Sequence, residues 1–520
     1  MIRGSGPAGP TPGPASVKSL PRCLAASLLI ALAALPAGGV ATAGPAPGKT
    51  STRHAAAAGT APDRAALLSG ALAREVEGAR RVARTLGVHI VDLAERREVY
   101  AFEADHPRIL ASNTKLLTTA AALAELGPDF EFETRVLLRG DKVEATLEGD
   151  LAVVGSGDPN LSSRFHDGDA YAVFRPWARA LRERGITKVN GDLVLVNGIF
   201  EEPRVHPDWP RDQLTTWYEA PVEALSFSDN CVLVRVRPGR APGAPAVVET
   251  VPRLEYFQFR NSARTGGGAG RLFVTREDGG DVIVVSGSIP QRSGPIDVWV
   301  AVYDPTAYFA AAVRAAFAEE GVTIAGVTQA VHGLPGGVWE QVAAHTSDLA
   351  TTLAVTNKRS QNFYAECLAK LLGHRLEGRG SWPAAGVAIS RVLARLGLPA
   401  EEFRLVDGSG LSRGDQASAR ALTTLLAQMY FHAFGRDFVR SLPFSGEADL
   451  AWRRRLADPP YRGNVYAKTG TLAGVSALSG YAKATSGRVY AFSILCNQVR
   501  SNAGAHAAQD RIVRALIDHG

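Results

Sequence analysis

A serine and a lysine three residues apart, at the start of a long apolar segment, constrain this chain more than any other feature. They lie in Ser112-Asn113-Thr114-Lys115, after which apolar residues recur with helical spacing until Gly127-Pro128. Residues three apart share one face of a helix, so the two side chains can meet. A lysine desolvated among apolar neighbours can lose its proton near neutral pH and then deprotonate the serine. The alternative is that Ser112 only caps the helix.

Two later motifs carry complementary chemistry. Ser360-Gln361-Asn362 stands at a polar turn that enters a predicted helix, and its spacing lets a hydroxyl and an amide point into one cleft. Lys468-Thr469-Gly470-Thr471 stands on a predicted strand, where the lysine and a hydroxyl can bind a carboxylate and the glycine lets a peptide lie against the strand. Taken alone, Ser360 could simply cap its helix, and Lys468 could stand exposed at a strand end.

The 520 residues suffice for two to four domains, and their patterns alternate between helical and β-rich stretches. Residues 63–86 read as a helix with Ala83 and Leu86 on its apolar side, and Gly87 ends it. A further helix is predicted at 170–184, where Pro176 introduces a kink. Other predicted helices are 347–356, 360–373, 382–396, 418–433 and 503–518. Predicted strands are 88–93, 98–103, 134–138, 145–154, 192–196, 231–236, 246–251, 272–275, 281–286 and 296–302, with a further strand region at 465–497.

The first 43 residues read as a secretory signal. Basic residues precede an apolar run at 23–35, and Ala41-Thr42-Ala43 forms an A-x-A cleavage site. The run is too short for a membrane span, which needs roughly 20 apolar residues. Residues 44–62 read as a flexible leader. We therefore expect export to the periplasm and no transmembrane anchor in the mature chain.

Charge and cysteine content exclude several classes of protein. The formal charge of +6 falls to +3 without the first 43 residues, which is too mild to indicate nucleic acid as a partner. Three cysteines remain after residue 43, at positions 231, 367 and 496, and their number and spacing suit neither a disulfide framework nor a zinc site. The eleven histidines show no ligand spacing. We expect no metal and no cofactor.

The three motifs occur in the order S-x-x-K, S-x-N and K-T-G, which is the signature of the serine penicillin-binding proteins and serine β-lactamases. The chain resembles one branch closely, the class C low-molecular-mass penicillin-binding proteins, which are D-alanyl-D-alanine carboxypeptidase/endopeptidases of the peptidase S13 type. Ser112 and Ser360 are separated by 248 residues, as in that branch. The other matching features are a Tyr-x-Ala-Pro-x-x-Ala-Leu…Asn segment at 218–230, a D-G-S-G-L-S-R loop at 407–413 and a G-x-G-D-P segment at 155–159.

The resemblance implies an α/β (α+β) fold. It consists of a β-lactamase/transpeptidase-like catalytic domain, a sheet flanked by helices, with mostly β domains inserted. The catalytic domain comprises 63–133 and 346–520. The inserted domain II comprises 134–158 and 303–345, and the inserted domain III comprises 159–302.

The resemblance also implies a role for each motif residue. Ser112 is the acylated nucleophile, Lys115 its activating base, and Ser360 the group that relays a proton to the leaving amine. Asn362 holds the substrate amide, and Lys468 and Thr469 bind the substrate carboxylate on the strand that includes Gly470. The implied oxyanion hole consists of the backbone N–H groups of Ser112 and Thr471. Arg413 matches an arginine that helps to read the stem peptide, whereas Ala473 stands where one relative has a glutamine, which leaves stem-peptide specificity open.

The function implied is a serine-type D-alanyl-D-alanine carboxypeptidase that hydrolyses peptidoglycan stem peptides through an acyl-enzyme, with D,D-endopeptidase activity as a further expectation. β-Lactam antibiotics would acylate the same serine. Two alternatives stay open: a β-lactamase or esterase on the same core, and a wall-sensing domain without turnover. A G-x-S-x-G match at 410–414 is a poor nucleophile elbow, because it lies in a loop and not at a strand-to-helix turn.

Overall fold

The structure, a computed structural model, describes residues 64–266, 270–448 and 450–520. The predicted signal peptide and leader lie outside these ranges. The helices are α1 Arg64–Arg80, α2 Thr114–Leu126, α3 Arg175–Glu183, α4 Pro305–Glu319, α5 Leu349–Lys358, α6 Asn362–Glu377, α7 Trp382–Arg395, α8 Ala419–Phe431, α9 Gly435–Ser441 and α10 Asn502–His519.

Within the described ranges, the strands form five sheets, which join segments from distant parts of the chain. Their bounds are β1 Ala83–Asp92, β2 Arg97–Phe102, β3 Arg108–Ile109, β4 Glu131–Val143, β5 Thr146–Val154, β6 Lys188–Val189, β7 Leu193–Val196, β8 Cys231–Arg237, β9 Val247–Val251, β10 Gln258–Asn261, β11 Arg264–Gly266, β12 Leu272–Arg276, β13 Val282–Pro290, β14 Ile296–Ala301, β15 Thr323–Ile324, β16 Thr328–Val331, β17 Glu340–Asp348, β18 Phe403–Arg404, β19 Gln416–Ala417, β20 Val465–Leu472, β21 Val475–Lys483 and β22 Val489–Val499.

A five-stranded antiparallel sheet carries the catalytic part of the chain, in the order β2-β1-β22-β21-β20. Alternate side chains of a strand point to opposite faces, and β22 is apolar on both. Phe492 and Ile494 pack with α1 and α10, whereas Ala491 and Leu495 pack with the cluster that contains α2, α6, α7 and α8. Helices therefore cover both faces of the sheet. Strand β20 is the last strand in the order and forms one edge of the sheet.

The β-rich insert has its own apolar core, built around α3 and α4. A seven-stranded sheet has the order β15-β6-β5-β4-β17, with β7 paired to β5 and β16 paired to β7. Residues 188–196, grouped above with the 159–302 unit, thus pair with strands of the 134–158 and 303–345 unit. Strands β8 to β14 form two separate sheets. The division into inserted domains II and III stays a prediction.

The prediction for residues 63–86 was wrong at its C-terminal end. Helix α1 ends at Arg80, and Ala83 and Leu86 belong to β1. Gly87 lies inside this strand and does not end the helix. The reason is tertiary: β1 pairs with β22 from Ala83 to Asp92, so its side chains are buried by contacts almost 400 residues away in sequence. The helical spacing of its apolar residues was overridden by that long-range pairing.

Two further corrections concern helices of the insert. Pro176 does not kink a helix but lies in the first turn of α3, which begins at Arg175, where a missing N–H costs no hydrogen bond. Helix α4 was not predicted, although Asp304 caps it through Ala307 N and Pro305 opens it. The other predicted helices and strands are confirmed within a few residues of their ends.

The three cysteines at 231, 367 and 496 are buried and free. In the described ranges, no helix is long and apolar enough to cross a membrane.

Candidate active site

Ser112 lies in a 3-10 turn, Ala111–Asn113, that leads directly into α2. The turn is held from two sides. Asn113 Nδ2 donates to Ser479 Oγ on β21 at 2.8 Å. Gly410 packs against the Ala111 carbonyl so closely that a Cβ there would collide with it. Ala111 has a φ of 47°, a left-handed conformation that a non-glycine residue adopts only when its surroundings enforce it. The turn thus presents a half-exposed Ser112 between buried neighbours.

Lys115 lies one turn further along and is completely buried. Its Nζ donates to Ser112 Oγ at 3.1 Å, to Asn362 Oδ1 at 2.7 Å and to the Ser409 carbonyl at 2.8 Å. Burial lowers the pKa of Lys115 to about 8, against the opposing effect of three nearby carboxyl groups. A useful fraction of Lys115 is therefore neutral near pH 7 to 8, and that form can accept the serine proton.

Those three carboxyl groups, Asp407, Glu366 and Asp415, shape the loop beside Lys115. Asp407 Oδ1 accepts from Ser409 N at 3.0 Å, Glu366 Oε2 accepts from Gly408 N at 2.9 Å, and Asp415 Oδ1 accepts from Val406 N at 2.7 Å. Burial raises the pKa of Glu366 to about 7 and that of Asp415 well above its usual range. The loop thereby wraps around buried carboxyl groups and aims the Ser409 carbonyl at the lysine.

Ser360 forms a second serine–lysine pair, with Lys468. Lys468 Nζ donates to Ser360 Oγ at 2.7 Å and to the Thr469 carbonyl at 2.8 Å. Lys468 is 1% exposed, and burial, reinforced by the positive charge of Lys115, holds its pKa well below the usual range. Ser360 has a φ of 57°, again a left-handed conformation. The two serine–lysine pairs are neighbours, because Asn362, two residues after Ser360, accepts from Lys115 and because the charge of Lys115 acts on the pKa of Lys468.

Strand β20 brings Lys468 to the nucleophile, and Gly470 makes this approach possible. A Cβ on Gly470 would lie 2.5 Å from the Leu110 carbonyl and 3.1 Å from Ser112 N. A glycine is thus required because the strand abuts the Ser112 turn, a reason additional to the one inferred from sequence. Thr469 and Thr471 continue the same strand and are half-buried and exposed, respectively. On the other edge of β20, Phe444 forms an isolated antiparallel bridge with Tyr466, and Ala467 N donates to the Pro443 carbonyl at 3.0 Å. Beyond Ala467, no strand among the described residues pairs with this edge.

Asn362 opens α6 and completes the arrangement. Its Oδ1 accepts from Lys115, and its Nδ2 donates to the Tyr218 carbonyl at 2.9 Å. Tyr218 belongs to the Tyr-x-Ala-Pro segment of the β-rich insert. The amide is therefore held between the catalytic base and the insert.

Comparison with known proteins identifies the family. A profile of the D-Ala-D-Ala carboxypeptidase 3 (S13) family matches residues 68–518. The chain belongs to this family. A D-alanyl-D-alanine carboxypeptidase of Actinomadura sp. (strain R39) is 34% identical over 449 residues, which are 83% of this chain and 81% of the relative. The D-alanyl-D-alanine carboxypeptidase DacB of Haemophilus influenzae is 26% identical over 397 residues, or 74% of this chain and 79% of the relative.

Solved structures support the fold. Penicillin binding protein 4 of Haemophilus influenzae superposes with a TM-score of 0.73 at 24% identity, covering 85% of this chain and 98% of that protein. The predicted α/β class with a β-lactamase/transpeptidase-like catalytic domain is thereby confirmed. Membership of the S13 family also confirms the prediction of a serine-type D-alanyl-D-alanine carboxypeptidase.

Arg413 lies at the outer edge of this S13 site. Its side chain is exposed, and Nη1 donates to the Ala473 carbonyl just beyond the end of β20, at 3.1 Å. Together with Arg108 and Gly474 it lines a cavity of about 370 Å³. The predicted role of Arg413 in reading the stem peptide stays a prediction.

Several groups that contact Lys115 and Asn362 from the protein interior were not predicted from the sequence. The Ser409 carbonyl, the Tyr218 carbonyl and the three buried carboxyl groups were not assigned a role. A signal existed in the D-G-S-G-L-S-R loop, whose aspartate and glycines indicate a tightly turned backbone. Among the described residues, no group of three or more histidine, cysteine, aspartate or glutamate side chains is arranged to hold a metal ion.

Proposed function

We propose that this S13 carboxypeptidase hydrolyses the terminal D-Ala–D-Ala bond of peptidoglycan stem peptides with Ser112 as its nucleophile. The observation that carries the proposal is the meeting of two serine–lysine pairs, Lys115 with Ser112 and Lys468 with Ser360, at one edge strand. The first pair can activate a nucleophile, and the second can pass a proton to a leaving group and hold an anionic terminus.

The first half of the reaction is acylation. Neutral Lys115 accepts the proton of Ser112 Oγ as this oxygen forms a bond to the penultimate D-Ala carbonyl carbon. The backbone N–H groups of Ser112 and Thr471 stabilise the negative charge that develops on the carbonyl oxygen. The C–N bond then breaks, and the proton reaches the leaving amine through Ser360.

The rest of the site binds the substrate and completes turnover. Asn362 holds the substrate amide, and Lys468 and Thr469 bind the terminal carboxylate. Water then adds to the acyl-enzyme ester and loses a proton to Lys115, which returns it to Ser112 Oγ as the bond between this oxygen and the acyl carbon breaks. The part of the β20 edge beyond Ala467 can accept an extended peptide as an added strand, which supports D,D-endopeptidase cleavage of cross-links as a second activity. Arg413 would contact the stem at the outer end of that strand.

The same chemistry makes the enzyme a target of penicillin, because a β-lactam ring would acylate Ser112 and be released slowly. We place the enzyme in the periplasm, exported by residues 1–43, where its substrate lies. The mass of the intact mature protein after brief exposure to benzylpenicillin tests both the nucleophile and the class. We expect a stable shift of one adduct in the wild type and no shift in Ser112→Ala.

Ser412→Ala is the matched control, because it removes the serine of the G-x-S-x-G match at 410–414 and should keep the adduct. Release of D-Ala from a synthetic stem peptide, lost in Ser112→Ala, completes the test. Rapid loss of the drug without an adduct would instead indicate a β-lactamase. No adduct, no drug loss and no D-Ala release would indicate a wall-sensing protein without turnover.

A further inference from the structure

A turn of the β-rich insert has an unusual backbone. Ser228, Asp229 and Asn230 have φ angles of 50°, 58° and 51°, and none of them is a glycine. Consecutive left-handed residues are unfavourable for L-amino acids and persist only where their surroundings enforce them. The Asn230 side chain does so, since its Oδ1 accepts from Phe227 N at 3.2 Å and its Nδ2 donates to the Pro221 carbonyl at 2.9 Å.

This strained turn presents Asp229 to the catalytic part of the chain. Asp229 Oδ2 accepts from Gln361 Nε2 at 2.6 Å and forms an ion pair with Arg164. Only 6% of the Asp229 side chain and 7% of the Arg164 side chain are exposed. Gln361 is also buried, and it stands between Ser360 and Asn362. A carboxylate of the insert therefore accepts a hydrogen bond from the middle residue of the S-x-N motif.

The motif itself needs such support, because Ser360 also has a left-handed backbone. Each of its three residues has a partner far away in sequence. Ser360 accepts from Lys468, Gln361 donates to Asp229, and Asn362 bonds both Lys115 and the Tyr218 carbonyl. Two of these partners, Asp229 and Tyr218, belong to the insert.

We propose that Asp229, held in place by Arg164, is a positioning residue for the Ser360 turn. Through Gln361 it keeps the Ser360 hydroxyl where it can receive the Lys468 hydrogen bond and reach the leaving amine. The inference rests on the proposed role of Ser360 in proton relay. It gives the β-rich insert a direct part in catalysis, because a small displacement of a proton-transfer group lowers the rate steeply.

A comparison of leaving groups distinguishes positioning from general stability. An amide substrate needs a proton on its leaving amine, whereas the thioester of the same acyl group leaves as a thiolate and needs none. We expect Gln361→Met, which keeps the side-chain length but removes the donor, to lower kcat/KM for the amide ~10²-fold and for the thioester less than ~5-fold. Ser360→Ala should show the same selectivity and serves as the reference.

A reciprocal exchange tests the contact itself. Gln361→Glu places two carboxylates face to face and should reproduce the selective loss of amide hydrolysis. The double variant Asp229→Asn/Gln361→Glu restores an amide–carboxylate pair with its polarity reversed and leaves a carboxylate beside Arg164. We expect it to recover at least ~10-fold of the lost amide activity. Failure of this rescue, with the variant folded, would contradict the proposal.

Asn160→Ala is the matched control, because it weakens another contact between the insert and the catalytic part of the chain. Asn160 Nδ2 joins the insert to Ser347 Oγ at 2.9 Å and to Thr352 Oγ1 at 2.8 Å, without touching the Ser360 turn. It should lower Tm and leave the amide-to-thioester ratio unchanged. If Gln361→Met instead lowered both substrates equally, Asp229 would be only a structural clamp. If the wild type turned over neither substrate, the proposed function itself would fail.

Discussion

Two lysines in the same site, Lys115 and Lys468, are buried to the same degree and differ in what surrounds them. Lys115 lies near three carboxyl groups, which offset part of the effect of burial and leave its pKa at about 8. Lys468 has a hydroxyl and a backbone carbonyl as partners, and the charge of Lys115 adds to the effect of burial on its pKa. The protein thus supplies negative charge near Lys115, whereas negative charge near Lys468 would come from a bound ligand.

The difference indicates a division of labour. A general base works best when its pKa lies near the working pH, and buried acids achieve this for Lys115. A carboxylate-binding lysine gains most when the substrate supplies the missing negative charge, because an ion pair formed in a dry site is strong. The two roles are therefore set by the surroundings of two chemically identical side chains.

The largest effect is expected from Lys115→Met, which keeps the length of the side chain and removes its amine. Because Ser112 then lacks a base, the acylation rate constant with benzylpenicillin should fall ~10³-fold. Stopped-flow measurement of acylation, with intact mass as the end point, checks this value.

Lys370→Met is the matched control for Lys115→Met. Lys370 is as buried as Lys115, and burial lowers its pKa to about 8 as well. However, its Nζ donates to the Glu201 and Pro203 carbonyls, outside the site. Lys370→Met should keep the acylation rate. An equal loss in both variants would mean that burial of a lysine, and not its contact with Ser112, decides the rate.

A smaller effect is expected from Lys468→Met. A substrate with a free terminal carboxylate should lose ~10- to 100-fold in kcat/KM, which corresponds to one charge-assisted hydrogen bond. The same substrate with a terminal amide should lose much less, because it brings no counter-charge. Steady-state kinetics on the matched pair measures this difference. Equal losses for the two substrates would show that Lys468 acts through Ser360 alone.

The sequence predicted those parts of the site that depend on local structure. Ser112 and Lys115 are neighbours because one helical turn makes them so, and Lys468 lies on a strand whose pattern is evident from its own residues. The partners of Lys115 could not be predicted, because Asn362 and the Ser409 carbonyl are 247 and 294 residues away and meet it only through tertiary packing.

The same limit explains the errors in the fold. The apolar residues in the C-terminal part of the predicted helix at 63–86 have helical spacing, yet this segment forms a strand that pairs with β22. Its local pattern contains no trace of that partner. Gly470 illustrates the converse, since its motif was recognised while the steric reason, contact with the Ser112 turn, became visible only in three dimensions.

A third prediction concerns the carboxyl groups around Lys115. Glu366→Gln keeps an oxygen for Gly408 N and removes a negative charge that raises the pKa of Lys115. The pKa of Lys115 should then fall below 8. Because acylation needs neutral Lys115, its rise with pH should move ~0.5 to 1 unit to the acid side. Acylation rate constants measured between pH 5.5 and 9.5 give the profile.

Glu377→Gln removes one carboxylate from the same helix, ~16 Å further along, and serves as the control. It should leave the profile in place. An alkaline shift in Glu366→Gln would contradict the idea that buried acids hold the pKa of Lys115 up.

The last prediction concerns the stability of the fold and not the reaction rate, and its subject is the buried acid Glu219. Glu219 is fully buried, and neither of its oxygens has a hydrogen-bond partner among the described residues. Burial, reinforced by the charge of Asp212, raises its pKa from 4.5 to about 8. Between these values the folded state binds more protons than the unfolded state, so the free energy of unfolding falls as pH rises. Below pH 4.5 both states are protonated and Glu219 adds no pH dependence.

Glu219→Gln cannot ionise and should remove this loss. We expect it to match the wild type at pH 4.5 and to exceed its free energy of unfolding by ~2 kcal/mol at pH 8.5. Thermal unfolding at several pH values checks the trend. Glu201→Gln is the control, because Arg379 lowers the pKa of Glu201 and no gain at high pH is expected. A gain in Glu219→Gln that did not depend on pH would show that its carboxyl group finds a counter-charge in the folded protein. Glu219 would then resemble Lys115 more than Lys468.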